Sequence, residues 1–446
     1  MKSSMTTAVA IVATLMFCAL FASAASADSP VANAPTWGQG DSWAMGKSID
    51  LDSEFSQQLN QMQQMLENMT GSASLDEFQV QASASAWLKV EVISATADEY
   101  IVQGKLAMRF NGEATVRASG EMPAAGKQAW DDLNYPKETM TVSAQITADL
   151  AFVSDMTVAF EKSTMAIKSI ATSHKASAIA SAKILNIPET KFNVSDLSIT
   201  HSYRNIDVSV NFDMELNVGA SFTPALNLIE FPLSYGNSWS VSSLASITGN
   251  VSGFLDIKGL SASDKQSLFA NAMLQNAGIT DFPIDFSKLT TDGEPKIVNG
   301  TLVPVNQYVN ASMECTAVDL VDMPLHGWVD VFEITVNGGS EKFYYSDDIR
   351  FLTGAGSSLE GLDLPIEMGG IQVPEATMKM DPVTTQDADQ NINAISSYQA
   401  DLSGQANSNG DGLGGLLANL PIIGLVLAII IAAAIIAVVM VKRKKK

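Results

Sequence analysis

Apolar and polar residues alternate with period two along much of the chain. From Phe78 to Val92 the even-numbered positions are almost all apolar, and the odd-numbered ones are mostly glutamine, serine, lysine or glutamate. The same alternation runs from Met140 to Phe152 and from Ile206 to Phe222. It is typical of antiparallel strands with one buried and one wet face. The pattern therefore predicts a mainly β fold of the α+β class with long antiparallel sheets.

Two Asn-Gly pairs are placed where such strands would reverse. Asn111-Gly112 lies between the predicted strands 106–110 and 114–118, and Asn337-Gly338 lies between the predicted strands 328–336 and 342–345. Asn-Gly is the strongest short hairpin signal, because both residues tolerate the positive φ of a type I′ turn. We therefore predict a hairpin at each pair.

Helical periodicity is rare, and we predict one amphipathic helix in each half of the chain. In the first half, residues 54–69 carry an apolar stripe that is ordinary for a core-facing helix and that would also suit an adaptable apolar pocket. Its members are Phe55, Leu59, Met62, Leu66 and Met69. In the second half, Ser263 and Gln266 form a capping box for a helix over 264–277. A weaker short helix is predicted over 386–402 through Ile392, Ile395, Tyr398 and Leu402.

A short motif indicates internal repetition. Gly40-Asp41-Ser42-Trp43 returns as Gly236-Asn237-Ser238-Trp239, and each copy opens a segment with one helix and several strands. We interpret residues 28–225 and 226–385 as two related β-rich units. The alternative is one large β-structure in which the motif recurs by chance.

Both ends of the chain carry targeting patterns. Lys2, an apolar core and Ala25-Ser26-Ala27 predict a signal peptide over residues 1–27, which removes Cys18. Residues 421–441 lack charged and hydrogen-bonding side chains, and as a helix they would span roughly 31 Å, the thickness of a bilayer's hydrocarbon. We predict a single-pass cell-membrane protein with an extracytoplasmic N-terminus, a polar stalk over 386–420, the span, and a basic cytoplasmic tail over 442–446. The rival for the C-terminus is a sortase-type signal at Leu420-Pro421-Ile422-Ile423-Gly424, which lacks the usual threonine.

Charge and cysteine content narrow the function classes. Residues 28–411 hold all 48 acidic residues and 20 of the 26 basic ones, a net charge of −28, so nucleic acid is repelled. Cys315 is the only cysteine of the predicted mature chain, which excludes an intramolecular disulfide. We expect it to be buried and inert.

No catalytic, cofactor or metal motif is found, and we predict a protein that is not an enzyme. The histidines 174, 201 and 326 lie in separate segments and are interpreted as structural or solvated. The run Asp387-x-Asp389-x-Asn391-x-Asn393 lacks the glycine and glutamate of a calcium loop and is interpreted as a solvated turn. Five glycosylation sequons lie in the exported part. They begin at Asn68, Asn193, Asn250, Asn299 and Asn310.

The second half resembles bacterial lipoprotein carriers and related outer-surface families. The resemblance covers residues 231–352 and rests on the Trp239 entry and the exit Tyr344-Tyr345-Ser346, whereas the first half matches only at 40–43. It implies a curved antiparallel sheet that wraps a helix as a half-closed barrel and shelters an apolar ligand.

Two functions follow as expectations. The first is a non-enzymatic, membrane-anchored surface glycoprotein with a binding or envelope-structural role. The alternative is a carrier or sensor of lipids or other apolar ligands in half-barrel pockets. A closed barrel or sandwich would favour the first and an open apolar pocket the second. The sequence leaves the ligand and the oligomeric state open.

Overall fold

The computed structural model describes residues 30–50, 73–123, 125–127, 137–193, 198–259, 282–290, 296–323, 326–338, 341–352, 367–368, 371–372 and 381–409. The predicted signal peptide, the helices over 54–69 and 264–277, the membrane span and the basic tail lie outside these ranges. Within them, no helix is both long enough and apolar enough to cross a bilayer.

The described residues are mainly β, as the alternation predicts. The longest strands are β3 (Ala73–Ala95), β4 (Glu99–Pro123), β6 (Lys137–Glu161), β7 (Ile167–Asn193), β8 (Ser198–Leu226), β10 (Ser238–Lys258) and β13 (Thr301–Met323). The shorter ones are β1 (Val31–Ala32), β2 (Ser42–Asp50), β5 (Gly126–Lys127), β9 (Leu233–Ser234), β11 (Ile284–Asp285), β12 (Ile297–Val298), β14 (Gly327–Val336), β15 (Glu341–Ser346), β16 (Phe351–Leu352), β17 (Glu367–Met368), β18 (Ile371–Gln372) and β19 (Asp381–Pro382). A 3-10 turn covers Phe286–Lys288, and the helix α1 covers Thr385–Asn409.

Most strands belong to one antiparallel sheet in the order β16-β15-β14-β13-β10-β8-β7-β6-β4-β3-β2-β19. Strands β5, β11 and β12 attach to β8, β10 and β13, while β1-β9 and β17-β18 form separate pairs. The predicted unit boundary, between residues 225 and 226, falls at the last residue of β8. Because β8 pairs with β10 from Thr223 opposite Leu244 to Ser209 opposite Lys258, the stretches on both sides of that boundary share this sheet.

The strands are longer than the turn signals predict. Strands β4 and β6 have 25 residues each, about 80 Å if straight at ~3.3 Å per residue. Asn111 and Gly112 lie inside β4, opposite Ser83 and Ala82 on one side and Asp149 and Ala148 on the other. The predicted hairpin there is wrong, because pairing with two neighbouring strands holds the chain extended. The hairpin at Asn337-Gly338 is confirmed between β14 and β15, with positive φ at both residues.

The long strands place their apolar positions on one face of the sheet. We call this the inner face: the even-numbered residues of β3, β4, β6, β7 and β8, together with the odd-numbered residues of β10 that pair with them. The opposite face, which we call the outer face, carries most of the polar positions. This division agrees with the predicted alternation over 78–92, 140–152 and 206–222.

The sheet curls until its two ends meet. The rings of Trp43 on β2 and Phe351 on β16 stack with centroids 4.5 Å apart, although nine strands separate β2 from β16 in the sheet order. In a flat sheet the same strands would lie about 48 Å apart at ~4.8 Å per strand. Trp43 Nε1 also donates to the Ile349 carbonyl at 2.9 Å, and Arg350 pairs with Asp41 at 3.4 Å. We call this contact between the sheet ends the seam.

Two buried clusters fill the curled end. One joins Val158 and Phe222 to Trp239, Phe332 and Tyr345. The other surrounds Trp37 at the seam. Its main members are Val90, Val92, Tyr100, Val102, Val329, Val331, Ile349 and Phe351. Inner-face residues of distant strands therefore pack face to face here.

The two Trp motifs have the same local structure. Gly40 donates its N–H to the Val92 carbonyl at 2.8 Å, and Gly236 donates in the same way to the Cys315 carbonyl at 2.9 Å. Both glycines have positive φ, 93° and 83°, where other residues are strained. Trp43 lies opposite Val90, and Trp239 lies opposite Met313. In each copy this opposing residue comes two positions before the residue whose carbonyl accepts from the glycine. The recurrence is thus structural as well as sequential.

Helix α1 packs on the outer face across β2, β3, β4, β6, β7 and β8. The predicted helix over 386–402 is confirmed and extends to Asn409. Its buried residues follow at spacings of three and four, as an amphipathic helix requires. They are Ala388, Ile392, Ile395, Gln399, Leu402 and Ala406. Residues 385–409 are therefore part of the folded unit, beyond the predicted start of the stalk.

The segment interpreted as a solvated turn is the first part of this helix. Thr384 caps it, since the Asp387 N–H donates to Thr384 Oγ1 at 3.1 Å. Asp389 pairs with Lys89 at 2.9 Å, and Asn391 donates to the Asp387 carbonyl. The turn interpretation was wrong, because docking on the sheet stabilises a helix that its Asn and Asp content makes poor in isolation.

Candidate ligand-binding face

The inner face forms continuous apolar rows across the strands. One row runs Ala84, Phe110, Leu150, Ala178, Phe212, Leu255 from β3 to β10. The next rows on either side are also apolar or glycine: Ala82, Gly112, Ala148, Ala180, Val210, Ile257, and then Ala86, Met108, Phe152, Ala176, Met214, Gly253. Such rows place cross-strand side chains in direct contact.

Part of this face is covered and part is open. Phe282 just before β11, Ile284 on β11 and Phe286 in the 3-10 turn pack over the inner side of β8 and β10. A group of nine apolar inner-face residues on β3, β4 and β6 is instead half-buried and belongs to none of the four buried clusters found in the described part of the chain. They are Val80, Ala84, Met108, Phe110, Ala114, Val116, Val142, Ala144 and Ile146. We call these nine residues the open inner face.

Small side chains line the floor beside it. Strand β7 contributes Ala176, Ala178, Ala180 and Ala182, and β3 contributes Ala82, Ala84 and Ala86. Six of these seven alanines are buried, and Ala176, Ala178 and Ala180 belong to the cluster that Phe282, Ile284 and Phe286 cover. Only Ala84, itself part of the open inner face, is half-buried. Phe110 and Phe152 flank this floor, so the arrangement suits an elongated apolar ligand lying along the strands.

One row interrupts the apolar pattern. It runs Leu88, Leu106, Ser154, His174, Leu216 and Val251. The His174 ring stacks on Phe152 with centroids 5.9 Å apart, and its Nδ1 is buried without a hydrogen-bond partner among the described residues. Ser154 is buried. Burial lowers the pKa of His174, because an apolar environment disfavours the imidazolium.

Polar contacts between α1 and the outer face are structural in character. Gln399 donates to Ser177 Oγ at 2.8 Å, and Ser177 donates to Asp213 at 2.6 Å. The Arg109 guanidinium lies 3.7 Å from the Tyr398 ring centroid, and Tyr398 donates to Asp149. Burial and the neighbouring Asp149 raise the pKa of Tyr398 to about 12, so this hydroxyl remains protonated and holds the helix in place.

The other predicted site residues are dispersed. The proposed pocket residues Phe55, Leu59, Met62, Leu66 and Met69, and the sequon at Asn68, lie outside the described residues. The remaining sequon asparagines have exposed side chains, Asn193 at the end of β7, Asn250 on β10, Asn299 in a turn and Asn310 on β13.

The remaining titratable candidates are also far apart. His201 lies 3.2 Å from Glu138, and His326 is exposed beside β14. Within the described ranges, no group of three or more His, Cys, Asp or Glu residues is placed to hold a metal ion. Cys315 is buried and free, as predicted, and burial beside Glu333 and Glu314 raises its pKa to about 12.

Comparison with known proteins adds no relative: no protein family, curated protein or solved structure matches the chain.

Sequence reasoning interpreted His174 as structural and missed its place on the inner face. The signal was present, because His174 falls in the same phase as Thr172, Ala176, Ala178 and Ala180. A histidine in the apolar phase of a long strand therefore points inward.

Proposed function

We propose that the protein is a non-enzymatic, single-pass cell-surface protein that binds an apolar ligand on the inner face of its curled sheet. The observation that carries the proposal is the open inner face, a set of half-buried apolar side chains beside an alanine floor. Monomeric proteins rarely leave contiguous apolar surface of this kind without a binding role. The predicted signal peptide and C-terminal span would hold this face outside the cell.

The curl of the sheet supports ligand binding over a purely architectural role. The seam and two buried clusters close one end, and the nine residues of the open inner face belong to none of the buried clusters of the described residues. The lipoprotein-carrier resemblance of residues 231–352 implies the same ligand class. The strongly acidic surface disfavours anionic macromolecules as the bound species.

Photoaffinity labelling of the full chain in phosphatidylcholine vesicles tests the proposal. The probe is a hexadecyl hydrocarbon that carries a diazirine and an alkyne, and its sites of attachment are mapped by peptide mass spectrometry. We expect attachment within β4 and β6 of the wild-type chain. Attachment in the predicted span at 421–441 serves as an internal control, because that segment contacts lipid whether or not the sheet binds.

Two matched tryptophan variants sharpen the test. Ala148→Trp places a large ring on the inner face between Gly112 and Ala180, whereas Lys183→Trp places the same ring on the outer face, where residue 183 is exposed. We expect A148W to lose β4 and β6 labelling and K183W to retain it. Labelling confined to the span, or unchanged in A148W, would overturn the proposal.

Surface display has its own test. An epitope inserted directly after Asp28 should be labelled by antibody on intact cells. Labelling only after the cells are permeabilised would refute the topology without bearing on the ligand.

A further inference from the structure

The ligand class can be narrowed from the polar row of the inner face, an inference that rests on the proposed function. Ser154 and His174 are direct cross-strand neighbours, and Thr172 lies in the next row toward the curled end. The rows that contain Phe110 and Met108 are wholly apolar. A ligand on the open inner face therefore meets hydrogen-bonding groups only toward the curled end, where the row of Ser154 and His174 comes first.

This row lies between the closed and open parts of the interior. Val158 and Ile170, toward the curled end, belong to the first buried cluster, whereas Met108, on β4 in the row on the other side, belongs to the open inner face. Phe152 and Leu216 pack against the cluster that Phe282, Ile284 and Phe286 cover. An elongated molecule that enters along β4 and β6 is stopped by the closed core just beyond His174. Its end group would thus come to rest beside Ser154 and His174.

The buried Nδ1 of His174 has no hydrogen-bond partner among the described residues, so a ligand group that bonds to it would be favoured. A buried polar atom without a hydrogen bond destabilises the fold, and a partner recovers that loss. Thr172 donates its hydroxyl to the Val218 carbonyl at 3.4 Å, and no described residue bonds to His174 Nδ1. The neutral imidazole offers one donor and one acceptor, which matches a hydroxyl group.

Charge decides between a hydroxyl and a carboxylate as that end group. A carboxylate in this apolar interior would need a cation, and His174 has no cationic side chain among its ladder neighbours Ser154 and Leu216 or its ring neighbour Phe152. An ionised group buried without a counter-charge is strongly disfavoured. The net charge of the predicted exported part, −28, opposes an anion further.

We propose that the inner face binds a long-chain lipid with an uncharged hydroxyl end, and that the hydroxyl hydrogen-bonds to His174 and Ser154. The apolar chain lies along the open inner face over Phe110 and Ile146. The hydroxyl supplies selectivity, while the apolar chain supplies most of the affinity.

Competition against the photoprobe tests this inference on the full chain in vesicles. Hexadecanol, hexadecanoic acid and hexadecane are compared at equal mole fractions in the bilayer at pH 7. We expect hexadecanol to displace the probe from β4 and β6 at about one fifth of the concentration that hexadecane requires, the effect of roughly one net hydrogen bond. Hexadecanoic acid should compete less well than the alcohol.

Variants of His174 separate hydrogen bonding from shape. His174→Phe should abolish the difference between alcohol and hydrocarbon, and His174→Gln, which keeps donor and acceptor groups, should restore part of it. His326→Phe, at an exposed position, is the matched control and should behave as wild type. The comparison of alcohol with hydrocarbon on the wild-type chain needs no variant. It therefore tests the inference even if H174F does not fold.

The possible failures are distinct. If hexadecanol and hexadecane compete equally in the wild type, or hexadecanoic acid competes best, the headgroup assignment is overturned and the proposed function stands. If no competitor displaces the probe because β4 and β6 are not labelled at all, the inference and the proposed function both fall.

Discussion

The seam gives the sharpest test of how the sheet is closed. Trp43→Ala removes a half-buried indole that stacks on Phe351 at 4.5 Å and donates to the Ile349 carbonyl at 2.9 Å. Truncation of buried aromatic residues destabilises proteins by about 3–5 kcal/mol, and partial exposure of Trp43 favours the lower figure. We therefore expect the sheet ends to separate more readily by about 3 kcal/mol.

Hydrogen exchange measures this separation strand by strand. A change of 3 kcal/mol is about 100-fold in the opening equilibrium, so amides of residues 42–50 and 343–351 should exchange about 100-fold faster in W43A. Trp43→Phe keeps an aromatic ring and loses the indole hydrogen bond, which should change exchange only about fivefold. Amides in the centres of β6 and β7 should keep their wild-type rates, because sub-global openings are confined to the elements that separate.

Trp239→Ala is the matched control, because Trp239 occupies the same place in the second motif. Its ring belongs to the first buried cluster and donates to the Asn227 carbonyl at 3.3 Å. Exchange should rise in residues 238–247 and remain unchanged in 42–50. The reasoning is refuted if W43A exchanges like wild type at the seam, or if W239A accelerates exchange there as much as W43A does.

Three further outcomes are expected. Ile392→Ala, at a buried helix position, should loosen α1 by about 2–5 kcal/mol and speed proteolysis within 385–409, whereas exposed Asn393→Ala should not; equal cleavage of both would contradict the docking. Cys315 should resist maleimide at pH 8 until denaturant unfolds the chain, since burial raises its pKa to about 12; rapid labelling of native protein would show otherwise. Folding lowers the pKa of His174, so as pH falls the unfolded chain is protonated at this histidine before the folded chain is. Urea midpoints should therefore fall as pH drops below about 6.5. The same pH dependence in H174F would exclude His174 as its source.

The period-two pattern was enough to predict the long strands and their buried face. The Asn-Gly signal was less reliable. It marks true turns at Asn337-Gly338 and at Asn299-Gly300, where both residues have positive φ, but not at Asn111-Gly112. A two-residue hairpin at 111–112 would place Phe110 opposite Glu113 and Met108 opposite Thr115, mixing apolar and polar residues on one face. The unbroken apolar phase through Gly112 was the better guide.

Other features depend on contacts between distant parts of the chain and were outside the reach of local patterns. The stacking of Trp43 on Phe351 joins residues at opposite ends of the sheet, and periodicity does not specify curvature. The docking of α1 on the polar outer face depends on Tyr398 and Gln399, whose partners Asp149 and Ser177 are far away in sequence. Helix propensity alone underestimates such a segment.

The strand order has a consequence for how the protein assembles. From β2 to β16 the long strands lie in the sheet almost in the order in which they occur in the chain. Each of these strands can therefore pair with its neighbour as it leaves the ribosome or translocon. This shortens the time for which unpaired strand edges are exposed to aggregation. Strand β19 and helix α1 are exceptions: β19 pairs with β2, and α1 contacts six strands that are made before it. We expect the helix to dock only after β6 and β7 have paired in the correct register. Only that register places Asp149 and Ser177 at the spacing that Tyr398 and Gln399 require.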